Sequence, residues 1–214
     1  MAVLEQKASF SSLLDLEGKE FSKTVDYFLE DKGFIIVLNR MFPFGEELIE
    51  FSKQRPDLFF QATVVNGNNA YQDTNFRSSQ NMFIHSSRDP SLERFQNCIA
   101  SFVANASQLY RQINKDCVLS HDTGYELLKY EAGQFFGPHV DIIYNSDKFN
   151  RRRLSMLIYL NNNYTGGELN FPRHGMMLKP DVGDILMFPS EFMYPHESLP
   201  ILSGTKYAVV TWLV

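Results

Sequence analysis

Two residues with metal-ligating side chains, His139 and Asp141, stand one residue apart in the stretch GPHVDIIYN, residues 137–145. The β-branched and aromatic residues of this stretch predict an extended strand. Alternation then places the imidazole and the carboxylate on the same face. Both groups are costly to bury unless something satisfies them. A bound metal ion is one explanation, and a hydrogen-bonded structural pair is the other.

A second histidine, His196, lies late in the chain, in the strand-like segment FMYPHESL. In a two-sheet barrel, strands that are far apart in sequence can face each other across the interior, so His196 could converge with His139 and Asp141. Two imidazoles and one carboxylate form a facial triad, which is typical of non-heme Fe(II) with open coordination positions. Spacing alone does not decide this, because a short His-x-Asp pattern also arises by accident.

Lys206 is the second residue of the last strand-like segment of the chain, TKYAVVTWLV. Its alternate positions Ala208, Val210 and Trp212 are apolar, so we expect their face, and Lys206 with it, to point inward. A buried lysine needs a counter-charge. The neighbouring predicted strands offer no obvious acidic partner, so a bound carboxylate is one interpretation. The other is that Lys206 reaches the rim with its stem on apolar surface.

Two tyrosines add polar groups to the same predicted interior. Tyr130 lies on the strand before His139, and Tyr159 lies in the segment MLIYLNN. Each could donate a hydrogen bond to a carboxylate oxygen, and each could equally be a core tyrosine satisfied by backbone. The arginines at 151–153 are interpreted as a solvated charge run.

The elements that must position these residues lie in the second half of the chain. From residue 117 onward, short strand-like segments are separated by Gly, Pro and Asn. This pattern predicts a β-barrel or sandwich of about eight strands. We expect residues 116–214 to form this core.

The first half has a mixed pattern. Helical spacing predicts helices over 20–31, over FGEELIEFSKQ and over 90–114. A polar, turn-rich stretch near 66–81 predicts a long loop of the kind that covers binding sites. We therefore expect an α+β protein in which residues 1–115 form a helical and mixed supporting region, in one compact unit with the β core.

Composition limits the classes of protein that fit. The chain has 214 residues, 44% of them apolar and 19 of them Phe, enough for a domain with a real core. The net charge of −5 does not suggest a nucleic-acid binder. Cys98 and Cys117 are interpreted as small core residues in a reducing compartment. With no signal-like segment and no long apolar run, we expect a cytoplasmic protein without membrane association.

Three stretches in order carry a family resemblance: LLKYEAGQFFGPHVD, RRRLSMLIYLNNNYTGGELNFP and LKPDVGDILMFPSEFMYPHESLPILSGTKYAVVTWL. Together they resemble the 2-oxoglutarate and Fe(II)-dependent dioxygenases, in particular the prolyl 4-hydroxylase-like group. The resemblance covers residues 125–214. Upstream, NFRSSQN resembles an Arg-Ser element of that group.

The resemblance implies a double-stranded β-helix, or jelly roll, in the C-terminal half, buttressed by N-terminal helices. It implies that His139, Asp141 and His196 bind Fe(II) as the catalytic centre. It also implies that Lys206 pairs with the distal carboxylate of 2-oxoglutarate and that Tyr130 and Tyr159 contact this co-substrate.

The activity implied is that of an oxidoreductase. It would use O2 and 2-oxoglutarate to hydroxylate an unactivated C–H bond, releasing succinate and CO2. A prolyl residue in a peptide or protein is the expected substrate, and ascorbate is a candidate reductant.

Two other readings stay open at the level of sequence. A cupin-type β-barrel would bind a metal without oxygenase activity and would not need Lys206. A small-molecule or nucleic-acid oxygenase of the same superfamily is the other. Nucleic-acid demethylases of that superfamily typically carry arginine where this chain has Lys206, and the acidity of the chain also argues against nucleic acid.

Overall fold

The computed structural model describes residues 6–66, 69–143 and 151–214, and β-strands dominate the fold in these ranges. The elements of the first half are β1 (Gln6–Leu14), β2 (Glu20–Glu30), β3 (Ile35–Leu38), α1 (Gly45–Gln54), β4 (Phe60–Gln61), β5 (Val64–Asn66), β6 (Asn69–Tyr71), β7 (Gln80–Ile84) and α2 (Glu93–Ile113). Those of the second half are β8 (Tyr125–Tyr130), β9 (Phe136–His139), β10 (Leu154–Tyr159), β11 (Thr165–Gly166), β12 (Leu169–Phe171), β13 (Met176–Leu178), β14 (Ile185–Pro189), β15 (His196–Ser198), β16 (Ile201–Ser203) and β17 (Lys206–Leu213).

Two sheets carry the residues of interest. The major sheet has nine strands in the order β1-β2-β3-β14-β10-β17-β8-β7-β4, and the minor sheet has four in the order β13-β12-β15-β9. Two small sheets, β11-β16 and β5-β6, complete the set in the described residues. The strand-rich second half that the sequence predicts is therefore confirmed, and strands of the first half extend its major sheet.

Alternation along the central strands divides the core into two layers. On β17, Val209 faces the layer that packs against helix α2, whereas Val210 faces the layer between the two sheets. Leu127 and Leu128 on β8 divide in the same way. Strand β17 is buried at every position. This agrees with its sequence, because a strand covered on both faces needs mainly apolar side chains on both.

Helices α1 and α2 lie where periodicity predicts helices. The apolar face of α2 is buried, including Phe95, Ile99 and Phe102, so this helix covers one side of the major sheet. No helix in the described ranges is long and apolar enough to cross a membrane.

The helix expected over 20–31 is wrong, because this segment forms strand β2. It pairs with β1 on one side and with β3 on the other. Within it, Val25 and Tyr27 are buried with a period of two, as in a strand. The apolar residues Phe21, Phe28 and Leu29 add a helix-like spacing, which explains the wrong prediction. Long-range pairing with two strands decides the conformation, so the first part of the expected helical region is a β-meander.

The polar stretch near 66–81 is not a plain loop. It begins within a small hairpin in which β5 and β6 pair antiparallel, and it ends on strand β7. Residues 67–68 lie outside the described ranges.

Candidate active site

Three side chains with metal-ligating atoms meet at one end of the space between the two sheets. One ligand atom from each of His139, Asp141 and His196 lies within 4.8 Å of the others. His139 Nε2 is 3.5 Å from Asp141 Oδ1, and His196 Nε2 is 3.6 Å from Asp141 Oδ2. The two nitrogens and the carboxylate thus face a common point, a geometry that can hold one metal ion.

Strand pairing brings the two histidines together. In the minor sheet, β15 pairs antiparallel with β9, and His196 is directly opposite His139. Asp141 lies two residues beyond the end of β9 rather than within a strand as the sequence suggested. Of the stretch 137–145, residues 144–145 lie outside the described ranges.

The backbone fixes which ring nitrogen of each histidine is available. His139 Nδ1 is 2.8 Å from the carbonyl oxygen of Gly137, and His196 Nδ1 is 3.0 Å from that of Tyr194. Donation from Nδ1–H to a carbonyl leaves the lone pair on Nε2, which is the atom that faces Asp141. The rings are therefore oriented as metal ligands.

A buried serine pair holds the carboxylate. Ser155 Oγ donates to Asp141 Oδ2 at 2.6 Å and lies 2.8 Å from Ser190 Oγ. Charge-assisted hydrogen bonds of this kind fix a ligating carboxylate. The sequence interpretation missed Ser155, although it shares a strand face with Tyr159, which was predicted to point inward.

Electrostatics favours the protonation states that bind a cation. Burial, followed by the neighbouring imidazole of His139, lowers the pKa of His196 to about 4, so this ring is neutral near pH 7. For Asp141, burial opposes ionisation. The adjacent histidines and the Ser155 hydroxyl outweigh that effect and hold the pKa of the carboxyl below its usual range. Neutral imidazole and ionised carboxylate are the ligand forms.

Lys206 lies deep in the same interior and is only 2% exposed. Its Nζ donates to the carbonyl oxygen of Gly167 at 2.7 Å and to Ser198 Oγ at 3.3 Å. Burial lowers the pKa of Lys206 to about 7. Among the described residues, no carboxylate oxygen lies within 4.0 Å of this nitrogen. The alternative of a lysine that reaches the rim is thus wrong, and no carboxylate of the described residues contacts the buried ammonium, although Glu168 acts on it at longer range.

The two tyrosines flank this lysine. Its Nζ is 5.6 Å from the ring centroid of Tyr130 and 5.3 Å from that of Tyr159. Tyr130 lines a small chamber that also reaches Lys206, Asp141 and both histidines. The hydroxyl of Tyr159 is buried without a hydrogen-bond partner in the described chain, so the interior retains an unused polar group.

A larger groove opens on the other side of the triad. It has a volume of about 580 Å³, and His139, Asp141 and Trp212 line both the groove and the chamber. Four phenylalanines share its wall: Phe60, Phe76, Phe83 and Phe136. The site therefore has an inner chamber with an ammonium group and an outer aromatic groove, joined at the triad.

Two arginines belong to this groove. The Arg152 guanidinium stacks on the Trp212 ring at 3.4 Å and lies 3.4 Å from the carbonyl oxygen of Asp141. The solvated run expected at 151–153 is thus wrong for its middle member. Arg77, from the Arg-Ser element, stacks on Phe136 at 4.4 Å. Arg152 lies two residues before β10, so the alternation along that strand could not predict which way its side chain points.

Comparison with known proteins agrees with this arrangement. The family model described as the 2OG-Fe(II) oxygenase superfamily matches residues 125–214, the part that contains the triad and Lys206. A probable prolyl 4-hydroxylase 3 of Arabidopsis thaliana is 28% identical over 199 residues, covering 78% of this chain and 64% of the plant protein. A putative prolyl 4-hydroxylase of Acanthamoeba polyphaga mimivirus is 27% identical over 183 residues, covering 78% of this chain and 67% of its own length. The chain thus spans about two thirds of the length of these relatives.

Solved structures share the fold. A prolyl hydroxylase from Trichoplax adhaerens, in complex with a hypoxia inducible factor oxygen degradation domain peptide fragment, superposes with a TM-score of 0.65 and 17% identity, over 84% of this chain and 83% of that one. A Pseudomonas putida prolyl-4-hydroxylase gives a TM-score of 0.63 and 18% identity, over 84% and 91%. Residues 125–214 thus match the 2OG-Fe(II) oxygenase superfamily model, and the chain is similar in sequence and fold to proteins named as prolyl hydroxylases.

Proposed function

We propose that this protein is a 2-oxoglutarate- and Fe(II)-dependent dioxygenase that hydroxylates a prolyl residue of a peptide or protein. The observation that carries the proposal is that a His-Asp-His triad and a buried lysine, which no carboxylate of the described residues contacts, line one chamber. A metal-binding barrel of the cupin type has no use for that lysine.

The donor set fits ferrous iron. Two imidazoles and one carboxylate would hold the ion from one side, and the chamber and the groove adjoin the triad. When bound, iron supplies the activation of O2 that protein side chains cannot provide. Ser155 and the carbonyl partners of the histidine Nδ1 atoms keep the three ligands in place.

The chamber fits a dicarboxylate. We assign Lys206 to the distal carboxylate of 2-oxoglutarate, where an ammonium in a dry interior gives a strong, charge-assisted hydrogen bond. Tyr130 and Tyr159 border this ammonium, and the unpartnered Tyr159 hydroxyl can donate to the same carboxylate group. The apolar walls of the chamber exclude water from the reacting centre.

The outer groove is the site that we assign to the peptide. Its opening beside the triad brings a bound chain to the metal, and its aromatic wall suits the flat, apolar face of a prolyl ring. Relatives whose names identify them as prolyl hydroxylases support this substrate class, as does a neighbour solved with a peptide fragment. Ascorbate remains the candidate reductant.

The fold type, the division of the chain and the cellular location belong to the same proposal. We assign the two facing sheets to a double-stranded β-helix, supported by the triad histidines on the minor sheet and Lys206 on the major sheet. Residues 1–115 support the core at 116–214 in one unit, since strands of both parts share the nine-stranded sheet. Two free cysteines fit a cytoplasmic location.

The test is aerobic incubation with Fe(II), 2-oxoglutarate and a panel of proline-containing peptides. Mass spectrometry should detect peptides that gain one oxygen atom, with succinate formed in proportion. His139→Ala should abolish both products while circular dichroism shows an intact fold, because the metal loses a ligand.

Two outcomes would contradict the proposal. Full turnover by His139→Ala would remove this residue from the metal site. A wild-type protein that binds Fe(II) but neither binds nor decarboxylates 2-oxoglutarate would favour the cupin alternative.

A further inference from the structure

One corner of the outer groove has a polar arrangement that the proposed chemistry does not use. Asn81 on β7 and Glu126 on β8 both line the groove beside His139 and Asp141. Asn81 is 2% exposed, and its Nδ2 donates to Glu126 Oε2 at 2.6 Å. A buried amide therefore holds a carboxylate at the groove wall.

Strand register explains why these two side chains meet. Asn81 is opposite Leu128 in the antiparallel pair of β7 and β8, and Glu126 is two residues along from Leu128 on the same face. That face also carries Tyr130, so Glu126 lies on the surface that leads outward from the chamber. The neighbouring positions Leu128 and Val210 are apolar. An apolar side chain at position 126 would pack against them as well, so packing does not require a carboxylate there.

The corner has unused acceptor capacity. Asn81 Oδ1 is buried and has no hydrogen-bond partner in the described chain. The amide cannot be turned to relieve this, because Oδ1 would then face the Glu126 carboxylate. Among the described residues, no basic nitrogen lies within 4.0 Å of that carboxylate. An amide oxygen without a donor, beside a carboxylate that no cation of the described chain contacts, indicates a site for a cationic donor from outside.

The groove arginines do not fill this role. Arg77 donates to the Thr63 carbonyl and to Ser79 and stacks on Phe136. Arg152 stacks on Trp212. Arg152 and Glu126 attract each other only at longer range, since no guanidinium nitrogen of the described residues lies within 4.0 Å of the Glu126 carboxylate. Direct contact with Glu126 therefore remains for a cation from the substrate.

Next to this corner is an apolar surface that suits a long aliphatic stem. Phe60 and Phe83 stack at 4.7 Å between ring centroids, and both line the groove. Phe83 is directly opposite Glu126 in the strand pair. Lysine and arginine side chains combine an apolar stem with a charged head, and aromatic faces attract the cation as well.

We propose that the Asn81–Glu126 corner is a specificity subsite for a lysine or arginine side chain of the peptide substrate, near the hydroxylated residue. The inference rests on the proposed function. Glu126 binds the cationic head, Asn81 positions the carboxylate, and Phe60 and Phe83 contact the stem.

Binding can be measured without turnover. Trp212 is the single tryptophan of the chain and lines the groove, so its fluorescence reports occupancy. The protein would be loaded with Zn(II) and 2-oxoglutarate. It would be titrated with short proline-centred peptides that carry lysine, norleucine or glutamate at each flanking position in turn. Norleucine keeps the stem and removes the charge.

At one flanking position, the lysine peptide should bind about tenfold more tightly than the norleucine peptide, as expected for a partly desolvated ion pair. Glu126→Gln should remove this difference, because glutamine still accepts from Asn81 but carries no charge. Asn81→Ala should reduce it, and Glu126→Lys should reverse the preference toward glutamate. Glu131→Gln is the matched control, since this exposed residue lies outside the groove and should keep the full ratio.

The outcomes separate the subsite from the proposed function. Equal binding of lysine and norleucine peptides at every position overturns the subsite, as does a lysine preference that survives Glu126→Gln. The same peptides are then incubated with Fe(II), 2-oxoglutarate and O2. If a peptide is hydroxylated but charge has no effect, only the subsite is wrong. If no peptide gains oxygen, the proposed function is wrong.

Discussion

At the scale of single residues, the metal-binding potential of the triad depends on groups that are not ligands. Asp141 has two carboxylate oxygens, and the Ser155 hydroxyl occupies one lone pair of Oδ2. Ser190 in turn contacts Ser155. This chain of hydrogen bonds fixes the plane of the carboxylate before any cation arrives, so little orientation entropy is lost on binding.

Ser155→Ala should weaken metal binding by roughly 10–100-fold, because the carboxylate loses the partner that orients it. Titration with Mn(II), followed by isothermal calorimetry, measures the affinity. Ser107→Ala is a suitable control, since its hydroxyl bonds only to a carbonyl of its own helix. Unchanged affinity in Ser155→Ala would show that the serine pair serves packing alone.

Lys206 imposes a cost on the protein without a bound ligand, because burial of its charge is offset only by the distant Glu168 and by no carboxylate in direct contact among the described residues. Lys206→Met removes the charge and keeps an unbranched, flexible side chain that is one atom shorter. It should raise the melting temperature of the protein without 2-oxoglutarate. It should also weaken 2-oxoglutarate binding by roughly 100-fold, equivalent to about 3 kcal/mol. Iron affinity should stay close to wild type.

The same lysine predicts a pH dependence of co-substrate binding. Burial lowers the pKa of Lys206 to about 7, Glu168 opposes this and Lys179 adds to it. A bound carboxylate raises that pKa again, so binding takes up a proton above pH 7. Affinity for 2-oxoglutarate should therefore be flat below pH 7 and fall as pH rises above it. Calorimetry in buffers of different ionisation enthalpy measures the proton uptake, which Lys206→Met should abolish.

At the scale of elements, a short glycine segment connects strand pairing to the inner chamber. Gly166 in β11 has φ +74 and pairs with Ile201 of β16, and Gly167 has φ +68. The Gly167 carbonyl accepts the hydrogen bond from Lys206. Backbone that only glycine adopts readily thus sets the position of the ammonium group.

Gly166→Ala should destabilise the protein and weaken 2-oxoglutarate binding together. A Cβ there would overlap the Pro200 carbonyl oxygen and come within 2.9 Å of the Leu202 backbone nitrogen. Gly175→Ala is the matched control, because Gly175 has φ +60 but open space around it, and it should cost only about 1–2 kcal/mol. Equal effects of the two variants on denaturant midpoints would show that contact with β16 is unimportant.

At the scale of the whole molecule, the nine-stranded sheet joins both halves of the chain. Strand β3 pairs with β14 through Ile36 and Met187, and β14 continues to β10 and β17. The apolar layer on one side of this sheet includes residues from both halves. Continuous hydrogen bonding and a shared core favour a single cooperative transition.

We therefore expect Ile36→Ala in the first half to destabilise the region around Trp212 as much as Ile185→Ala does in the second. Both residues are fully buried, and each substitution should cost about 2–5 kcal/mol. Unfolding in urea would be followed by tryptophan fluorescence and by circular dichroism. If Ile36→Ala shifts the circular dichroism transition but leaves the fluorescence midpoint in place, the two halves unfold separately.

From the sequence alone, the types of residue available to the site could be predicted. Histidine and aspartate in a His-x-Asp pattern, with a later histidine, limit the ligand set, and residue type is enough for that. The alternation of apolar residues along β17 placed Lys206 inward, because a strand presents every second side chain to one face. Helix α2 was predictable for a similar reason, since its apolar periodicity is long and regular.

Which strands pair and which side chains meet became clear from the fold. The segment 20–31 has helical spacing but becomes β2 because β1 and β3 offer hydrogen bonds on both sides. Arg152 enters the groove because the Trp212 face is available to stack on, and Glu126 meets Asn81 through the register of two strands. Such contacts join residues far apart in the chain. They depend on register and packing, which local sequence preferences do not encode.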